Sequence, residues 1–132
     1  MSIDSIADFI TIIRNGVMVS KSSVTAPYSQ MRYSIAQILK EEGFIHDVTV
    51  INTDIDSKKG LKVTLKYVDG ESVIHEIQRI SKPGRRVYAG TKGIKPVIGK
   101  LGISIVTTSH GVVANKQAQK LGVGGEIICT VW

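Results

Sequence analysis

The chain has 132 residues, 42% of them hydrophobic, and its 17 Lys or Arg against 11 Asp or Glu give a net charge of +6. This length suits one domain, or two small lobes sharing a core, and a folded, soluble protein is expected. No apolar run approaches the ~20 residues that span a bilayer, so a membrane protein is not expected. No basic and apolar leader opens the chain, so a secreted protein is not expected either. The single cysteine excludes an internal disulfide and a cysteine-based zinc site, which fits a reducing compartment.

Two helices are predicted at the start of the chain. A first helix ending near Asn15 or Gly16 is predicted by one apolar stripe with steps of three and four, formed by Ile3, Ile6, Ala7, Ile10, Ile13 and Val17. After a short segment at 24–26, Ser29 can cap a second helix, and Gly43 can end it at the C′ position. The buried face of this second helix would carry Met31, Ile35, Ile38 and Leu39.

Three strands are expected next, because the hydrophobic pattern changes from helical spacing to strand patterns. They cover 44–51, 61–68 and 72–80. Asp69-Gly70 is a strong signal for a two-residue hairpin turn, whose central residues need positive φ. We therefore expect residues 1–80 to form an N-terminal lobe in which two helices cover one face of a three-stranded antiparallel sheet.

The last part of the chain differs from the first in charge. Residues 1–80 hold nine Lys or Arg against ten Asp or Glu, a net of −1, whereas residues 81–132 hold eight against the single Glu126, a net of +7. This basic C-terminal lobe should contain short strands at 85–88, 103–107 and 126–131 and one short helix near 115–121. The expected class is α+β with two small lobes. The charge indicates a polyanionic partner, nucleic acid first of all, with a solvated basic face as the alternative.

No arrangement typical of catalysis or cofactor binding is found in the sequence. Ser109 and His110 are the only adjacent nucleophile and base, but neighbouring side chains on an extended strand point to opposite faces and no G-x-S-x-G elbow surrounds them. The three histidines have no second ligand at metal spacing, and the glycines of 93–99 and 122–125 fit neither phosphate-loop pattern. We therefore expect that the protein is not an enzyme and that it binds neither a cofactor nor a metal ion.

The stretch TTSHG, residues 107–111, is best suited to binding. Its three hydroxyl side chains are short, donate and accept hydrogen bonds, and can meet base edges and ribose hydroxyls without placing a cation against them. Tyr88 offers a flat ring for an unpaired base, and phosphate attraction could come from Arg85, Arg86, Lys92, Lys95 and Lys100. A turn with local caps explains the hydroxyls equally well, and a single tyrosine is more often part of a core, so both explanations stay open here.

Several stretches in the same order resemble the family of the bacterial-type small-subunit ribosomal protein eight. These are IADFITIIRNG near the start, ILKEEGFI at 38–45, ISKPGRRVY at 80–88 and LGISIVTTSHGVVANKQAQKLGVGGEIICTVW at the end. The resemblance extends over essentially the whole chain. It implies a two-lobed α+β protein of the small ribosomal subunit that binds a helical region in the central domain of small-subunit ribosomal RNA and helps the surrounding RNA to fold.

The resemblance also implies RNA contacts for particular residues. The loop matching Thr107, Thr108, Ser109 and Gly111 is expected to reach irregular bases in the RNA minor groove, near Tyr88 and the region of Gly124, Gly125 and Glu126. The N-terminal lobe is expected to contribute Arg14 and Asn15. Independently of the resemblance, the positive charge of Arg86 leads us to expect that it attracts phosphate. Implied partners are small-subunit ribosomal RNA, neighbouring ribosomal proteins and, as in some family members, the messenger RNA of the protein's own operon. The implied location is a cytoplasmic or organellar ribosome.

The chain departs from the family pattern at a few positions. Thr107 stands where the family usually has serine, Ser5 interrupts a D-P-I-A-D start, and Ile12 and Gln30 stand where basic residues are often found. The last two departures predict weaker phosphate contacts from the N-terminal lobe. The competing hypothesis is a basic adaptor that binds acidic proteins without recognising RNA directly.

Overall fold

The computed structural model describes residues 5–52, 58–90 and 102–132. Ile3, Lys92, Lys95 and Lys100, which entered the sequence predictions, lie outside the described residues. The chain divides into two compact units, Met1–Ile74 and His75–Trp132. None of the helices in the described residues is long and apolar enough to cross a membrane.

The first unit contains two helices and a three-stranded antiparallel sheet. Its elements are α1 (Ser5–Met18), β1 (Ser23–Pro27), α2 (Gln30–Glu41), β2 (Ile45–Asn52) and β3 (Lys59–Leu65). The sheet has the strand order β1-β3-β2, and both helices contact it as well as each other. The core is formed by buried side chains from the helices and the central strand, including Phe9, Ile10, Ile13, Ile35, Leu39, Leu61, Val63 and Leu65. Two helices on a three-stranded sheet were predicted, and the α+β class is confirmed.

The second helix begins and ends as the sequence predicts. The backbone N–H of Arg32 donates to the Ser29 hydroxyl at 3.1 Å, which caps the N-terminus. At the other end Gly43 has φ +83°, and its N–H donates to the Lys40 carbonyl while the Phe44 N–H donates to the Leu39 carbonyl. This pair of bonds is the Schellman arrangement, which satisfies the carbonyls of the last turn.

The first helix continues past Gly16, where the sequence suggested an end. Gly16 is buried inside α1 instead of following it. A Cβ at this position would overlap Cγ1 of Val24 on β1 and would lie 3.3 Å from Cδ1 of Leu65 on β3. The glycine is therefore a packing residue that lets the helix approach the sheet closely, and the helix ends only at Met18.

The prediction for the third strand of this sheet was wrong. The third strand is β1, whose register with β3 includes Val24 opposite Val63, whereas the segment 72–80 takes no part in this sheet. The Asp69-Gly70 turn does form, with φ of +54° and +81°, but it joins only the two-residue strands β4 (Tyr67–Val68) and β5 (Glu71–Ser72). A five-residue strand that ends in proline gives too weak a sequence pattern to compete with a hairpin signal.

In its described residues, the second unit is a five-stranded sheet with one short helix. Its strands are β6 (Ile77–Arg79), β7 (Tyr88–Ala89), β8 (Ile103–Thr108), β9 (Gly111–Ala114) and β10 (Gly125–Val131), and its helix is α3 (Asn115–Leu121). The order is β6-β10-β8-β9, with β7 also paired to β10. Ala118 of α3 and Val106 of β8 are buried together, and the Asn115 amide oxygen accepts a bond from the Ser104 N–H at 3.2 Å.

The compact units divide after Ile74, whereas the sequence analysis divided the chain after residue 80. Strand β6 pairs with β10, and the N–H groups of His75 and Glu76 donate to the Trp132 carbonyl. These bonds tie the segment from His75 onward to the last strand of the chain. The chain becomes strongly basic near residue 81, but its backbone begins to pair with the C-terminal strand already at His75. A charge count could not show this, because it contains no information on backbone pairing.

Candidate nucleic-acid interface

One end of the second unit's sheet brings together residues of four strands from three separate parts of the sequence. Tyr88 lies opposite Glu126, Glu126 lies opposite Thr107, and Thr107 lies opposite Val112 across β7, β10, β8 and β9. Directly opposed residues of antiparallel strands project from the same face of a sheet. The next row contains Ala89 and Gly125, and Thr108 pairs with Gly111. We call this region the sheet end, defined as residues 86–89, 107–112 and 124–126.

A tight turn at Ser109 and His110 closes the hairpin between β8 and β9. The Thr108 hydroxyl donates to the Gly111 carbonyl at 2.9 Å and accepts from the His110 N–H at 3.0 Å. Gly111 has φ +101°, which a residue with a side chain adopts only with strain. Thr108 thus fixes the turn from inside, and Ser109 and His110 are left exposed at its tip.

The three hydroxyls of the loop have different surroundings. The Thr107 hydroxyl is buried and has no hydrogen-bond partner among the described residues, which costs on the order of 1 to 3 kcal/mol for such a group. The Thr108 hydroxyl is engaged in the turn. Ser109 is exposed, and its hydroxyl takes no part in the bonds that close the turn. Of the three hydroxyls, that of Ser109 is therefore the one that faces solvent and does not stabilise the hairpin turn.

Gly124 and Gly125 let the backbones of the sheet end approach one another. A Cβ on Gly125 would overlap the Thr107 carbonyl oxygen and would lie 3.2 Å from Cα of Thr108. A Cβ on Gly124 would overlap the Ala89 carbonyl oxygen and would lie 2.7 Å from Cα of Gly90. The obstacles are main-chain atoms, which cannot move aside as a flexible side chain can. Both glycines are therefore required by the packing of strands β7, β10 and β8.

Glu126 lies at the centre of a polar cluster with Ser81 and Arg86. Its carboxylate accepts a short hydrogen bond from the Ser81 hydroxyl and pairs with the Arg86 guanidinium at 3.0 Å. The buried Ser81 hydroxyl also accepts from the Val87 N–H at 3.1 Å. The bond from Ser81, together with Arg86, holds the pKa of Glu126 below its ordinary value of 4.5. The cluster fastens the segment that carries Tyr88 to strand β10.

The ring of Tyr88 is exposed at the sheet end. Tyr88 has 69% of its surface accessible, so it is not part of the core. The Arg86 side chain is 47% exposed although it is paired with Glu126, and Arg85 beside it is exposed. A flat aromatic face and cationic groups therefore lie on the same short segment, which is an arrangement suited to stacking and phosphate contact.

Arg14 and Asn15 lie in the first unit, on the last turns of α1, and both are exposed. The sheet end consists of residues of the second unit. Among the described residues no group of three His, Cys, Asp or Glu is placed to hold a metal ion. Sequence reasoning missed Ser81, whose importance comes from burial and from a carboxylate 45 positions away, and no local sequence signal indicates it.

Comparison with known proteins gives one consistent result. The family model described as "Ribosomal protein S8" matches residues 4–132. The chain is similar to the small ribosomal subunit protein uS8 of Marinobacter nauticus, with 49% identity over 129 residues that cover 98% of this chain and 97% of the relative. It is also similar to the proteins of the same name from Thermodesulfovibrio yellowstonii, with 48% identity and full coverage of both chains, and from Delftia acidovorans, with 49% identity over 97% of this chain and 96% of the relative.

Proposed function

The chain belongs to the ribosomal protein S8 family, and from that premise we propose that it is a structural protein of the small ribosomal subunit that binds ribosomal RNA and catalyses no reaction. Similarity over the full length of both chains supports the assignment to the small subunit. Its location is then the ribosome, and we propose the cytoplasm as the compartment.

The observation that carries RNA binding is the sheet end, where an exposed hydroxyl and an exposed aromatic ring are held on one rigid framework. Ser109 stands at the tip of a turn fixed by Thr108, and Tyr88 stands on a segment fixed by the Glu126 cluster. Short hydroxyl groups suit the shallow minor groove of RNA, and aromatic rings stack on unpaired bases. We therefore propose an irregular RNA stem as the target, in the central domain of the small-subunit RNA, whose folding the bound protein promotes.

The site residues have two kinds of role, since some contact the RNA and others fix the shape of the sheet end. We propose that Ser109 and Tyr88 contact bases and sugars, and that Arg85 and Arg86 attract phosphate. Thr107, Thr108 and Gly111 shape the loop, and Gly124, Gly125 and Glu126 keep the strands at contact distance. These six residues would therefore contribute to RNA binding mainly by fixing the backbone geometry, and less by side-chain contacts with the RNA.

Other partners follow from the same proposal. Arg14 and Asn15 on the first unit are exposed and would contact RNA or a neighbouring ribosomal protein. If the messenger RNA of the protein's own operon carries the same irregular stem, the sheet end would bind it as well. Competition between that messenger RNA and the ribosomal fragment for the purified protein tests this second activity, because a shared site requires mutual exclusion.

Ser109→Ala is the direct test of the loop. Losing one contact worth about 1 to 2 kcal/mol should weaken binding to the central-domain RNA fragment by roughly ten-fold and reduce the preference over a regular duplex. Ser22→Ala, which changes an exposed serine of the first unit, is the matched control and should bind as the unaltered protein does. A thermal melt of each variant separates lost contact from lost folding.

The outcome that contradicts the loop assignment is an unchanged preference for the irregular RNA in Ser109→Ala. Failure of the unaltered protein to bind the fragment at micromolar concentration in low salt would refute RNA binding altogether and would favour the adaptor hypothesis. Arg85→Gln provides the electrostatic arm, because Arg85 is exposed and has no pairing with Glu126 to disturb. It should weaken binding to all RNAs and reduce the salt dependence of the association constant.

A further inference from the structure

Strand β1 uses only one of its two edges for pairing within the described residues, where it pairs with β3 alone. The Leu65 N–H donates to the Ser22 carbonyl at 2.9 Å. At the other end of the strand the Tyr28 N–H donates to the Lys59 carbonyl at 3.1 Å. Backbone groups of an antiparallel pair point toward the partner at every second residue. Even-numbered residues of β1 therefore direct their N–H and C=O groups toward β3.

The odd-numbered residues of β1 direct their backbone groups to the outer edge. These are Ser23, Thr25 and Pro27. Proline has no N–H, and the Pro27 carbonyl accepts from the buried Arg32 guanidinium at 2.8 Å, so the chain itself closes this end of the edge. Ser23 and Thr25 have no backbone partner on the outer side within the described residues. Their N–H and C=O groups, spaced as in any strand, are therefore open to a further strand.

A groove with a volume of about 430 Å³ runs along this open part of the edge. We call it the edge groove, and it is lined by Ile12, Asn15, Gly16, Val19, Lys21, Ser23, Val24 and Thr25. Helix α1 forms its wall on the core side of the sheet, where a Cβ on Gly16 would overlap Cγ1 of the buried Val24. Ile12 is half-buried and Val19 is 67% exposed, so apolar surface of this wall is accessible.

We propose that the edge groove binds an extended segment of another protein, which adds to β1 as a further strand of the first unit's sheet. The segment exchanges backbone hydrogen bonds with Ser23 and Thr25, as in other cases of strand addition to a sheet edge. Its residue opposite Val24 projects to the core side and carries an apolar side chain that rests against Ile12 and Val19. This contact lies on the first unit and is independent of the RNA binding proposed for the sheet end.

The charge of the edge groove indicates the charge of the segment. Lys21 is exposed and lines the groove, whereas no Asp or Glu among the described residues lines it. An acidic residue at the end of the segment that lies beside Lys21 is therefore favoured, because opposite charges select partner and direction. Asn15 also lines the groove, so it is assigned here to a protein contact and not to RNA.

A strand from another protein suits this edge better than RNA or a second copy of the chain. The open edge offers donors and acceptors at strand spacing, and a polypeptide backbone matches both, whereas phosphate groups only accept. In a pair of copies, the register that uses both open residues joins Ser23 to Thr25 and places Val24 opposite Val24. Because Val24 is only 7% exposed and packs against its own α1, it cannot fill the groove of a second copy.

The test is an NMR titration of the full ¹⁵N-labelled chain with the acetylated and amidated hexapeptide Thr-Thr-Ile-Thr-Glu-Glu. In the antiparallel direction its isoleucine lies opposite Val24 and its glutamates lie beside Lys21. Hydrogen exchange of the Ser23 and Thr25 amides should slow about ten-fold when roughly nine-tenths of the chain is bound, because only the unbound fraction exchanges. The amides of Val24 and Ala26 already point to β3 and should change little.

N-methylated peptides distinguish strand addition from other kinds of binding without any change to the protein. A methyl group on either threonine that flanks the isoleucine replaces an N–H that points at β1. Each should weaken binding about five-fold or more, which corresponds to one backbone hydrogen bond. A methyl group on the isoleucine nitrogen points away from β1 and should leave the affinity nearly unchanged.

Thr25→Pro and Thr25→Val form the matched pair of protein variants. Proline removes the Thr25 N–H and should abolish peptide binding, and the sheet should accept it because Pro27 already occupies an outward position of this strand. Valine keeps the N–H and should bind as the unaltered protein does. Val19→Ser should weaken binding several-fold, whereas Val68→Ser, which changes a similarly exposed valine outside the groove, should not. A thermal melt of each variant checks folding.

Four results would overturn the proposal. They are unchanged exchange of Ser23 and Thr25 at millimolar peptide, equal weakening by all three N-methyl groups, protection that grows with chain concentration alone, and protection by a uridine oligoribonucleotide. The third result would assign the edge to a second copy, and the fourth would assign it to RNA. Thr25→Pro should leave binding of the central-domain RNA fragment unchanged, and Ser109→Ala should leave peptide binding unchanged. Each of the two proposed contacts can therefore fail alone.

Discussion

Replacing Gly125 with alanine adds only one methyl group, but we expect it to destabilise the second unit strongly. The added Cβ would overlap the Thr107 carbonyl oxygen and lie 2.9 Å from the Thr107 carbonyl carbon. Relief requires β10 to move away from β8, at the row where Glu126 pairs with Thr107. Overpacking costs about 1 to 3 kcal/mol where side chains can adjust, and the backbone obstacle places this variant at the upper end of that range.

Cys129 provides an assay that reports on this unit alone. It is the only cysteine in the chain, it is fully buried on the same strand as Gly125, and burial raises its pKa to about 12. A thiol reagent at pH 8 therefore labels it only after the unit opens, and the labelling rate follows the open population when reclosing is fast. A loss of about 2 to 3 kcal/mol should raise the labelling rate about 30-fold to 150-fold.

Gly84→Ala is the control for the Gly125 experiment. A Cβ on Gly84 meets no atom within 4 Å, and its φ is not positive, so its labelling rate should equal that of the unaltered protein. Equal labelling rates for Gly125→Ala and the unaltered protein would refute the inference that close backbone approach, and not flexibility, requires this glycine. Slower labelling would contradict it even more directly.

Three further variants test single features of the two units. Folding lowers the pKa of the Glu126 carboxyl below its ordinary value of 4.5, so this carboxylate stabilises the folded protein above pH 4.5 and the stabilisation is lost as the pH falls through the folded-state pKa. Glu126→Gln has no carboxylate to protonate. In urea titrations its free energy of unfolding should therefore fall less between pH 6 and pH 3 than that of the unaltered protein. Gly16→Ala should lower the melting temperature, because overlap with Val24 outweighs the roughly 1 kcal/mol gain in helix propensity; a rise would contradict the packing role. Ser29→Ala should cost about 1 kcal/mol in urea unfolding through the lost cap, and Ser22→Ala should cost nothing measurable.

The sequence predicted well those features that depend on neighbouring residues. The cap at Ser29, the glycine end at Gly43 and the positive φ values at Asp69 and Gly70 are local, because each is set by the conformational preferences of one to four residues. Strand partners are not local. The pairing of β1 with β3 joins residues about 40 positions apart, and the short pattern at 24–26 did not show that it belonged to a sheet.

The sequence indicated which segments form the candidate site, but it did not indicate the different surroundings of their side chains. The hydroxyl side chains pointed to 107–111 and the family resemblance pointed to 124–126, and the strand register places these segments side by side. Similar side chains nevertheless have different surroundings, since the Thr107 hydroxyl is buried, Thr108 closes the turn and Ser109 is exposed. A hairpin assigns these roles through alternation and turn geometry, which depend on the register of β8 with both neighbours.

The sheet end combines parts that maintain its shape with parts that are free to bind, and this combination limits how its mutants can be interpreted. Replacing Gly125 or Glu126 would weaken RNA binding through the framework, although neither needs to touch RNA. The stability of the second unit must then fall together with affinity. Replacing Ser109 or Tyr88 removes an exposed group and should change affinity without changing the labelling rate of Cys129. Measuring both quantities on the same variants therefore distinguishes recognition from support, because only recognition can be lost while the buried thiol stays protected.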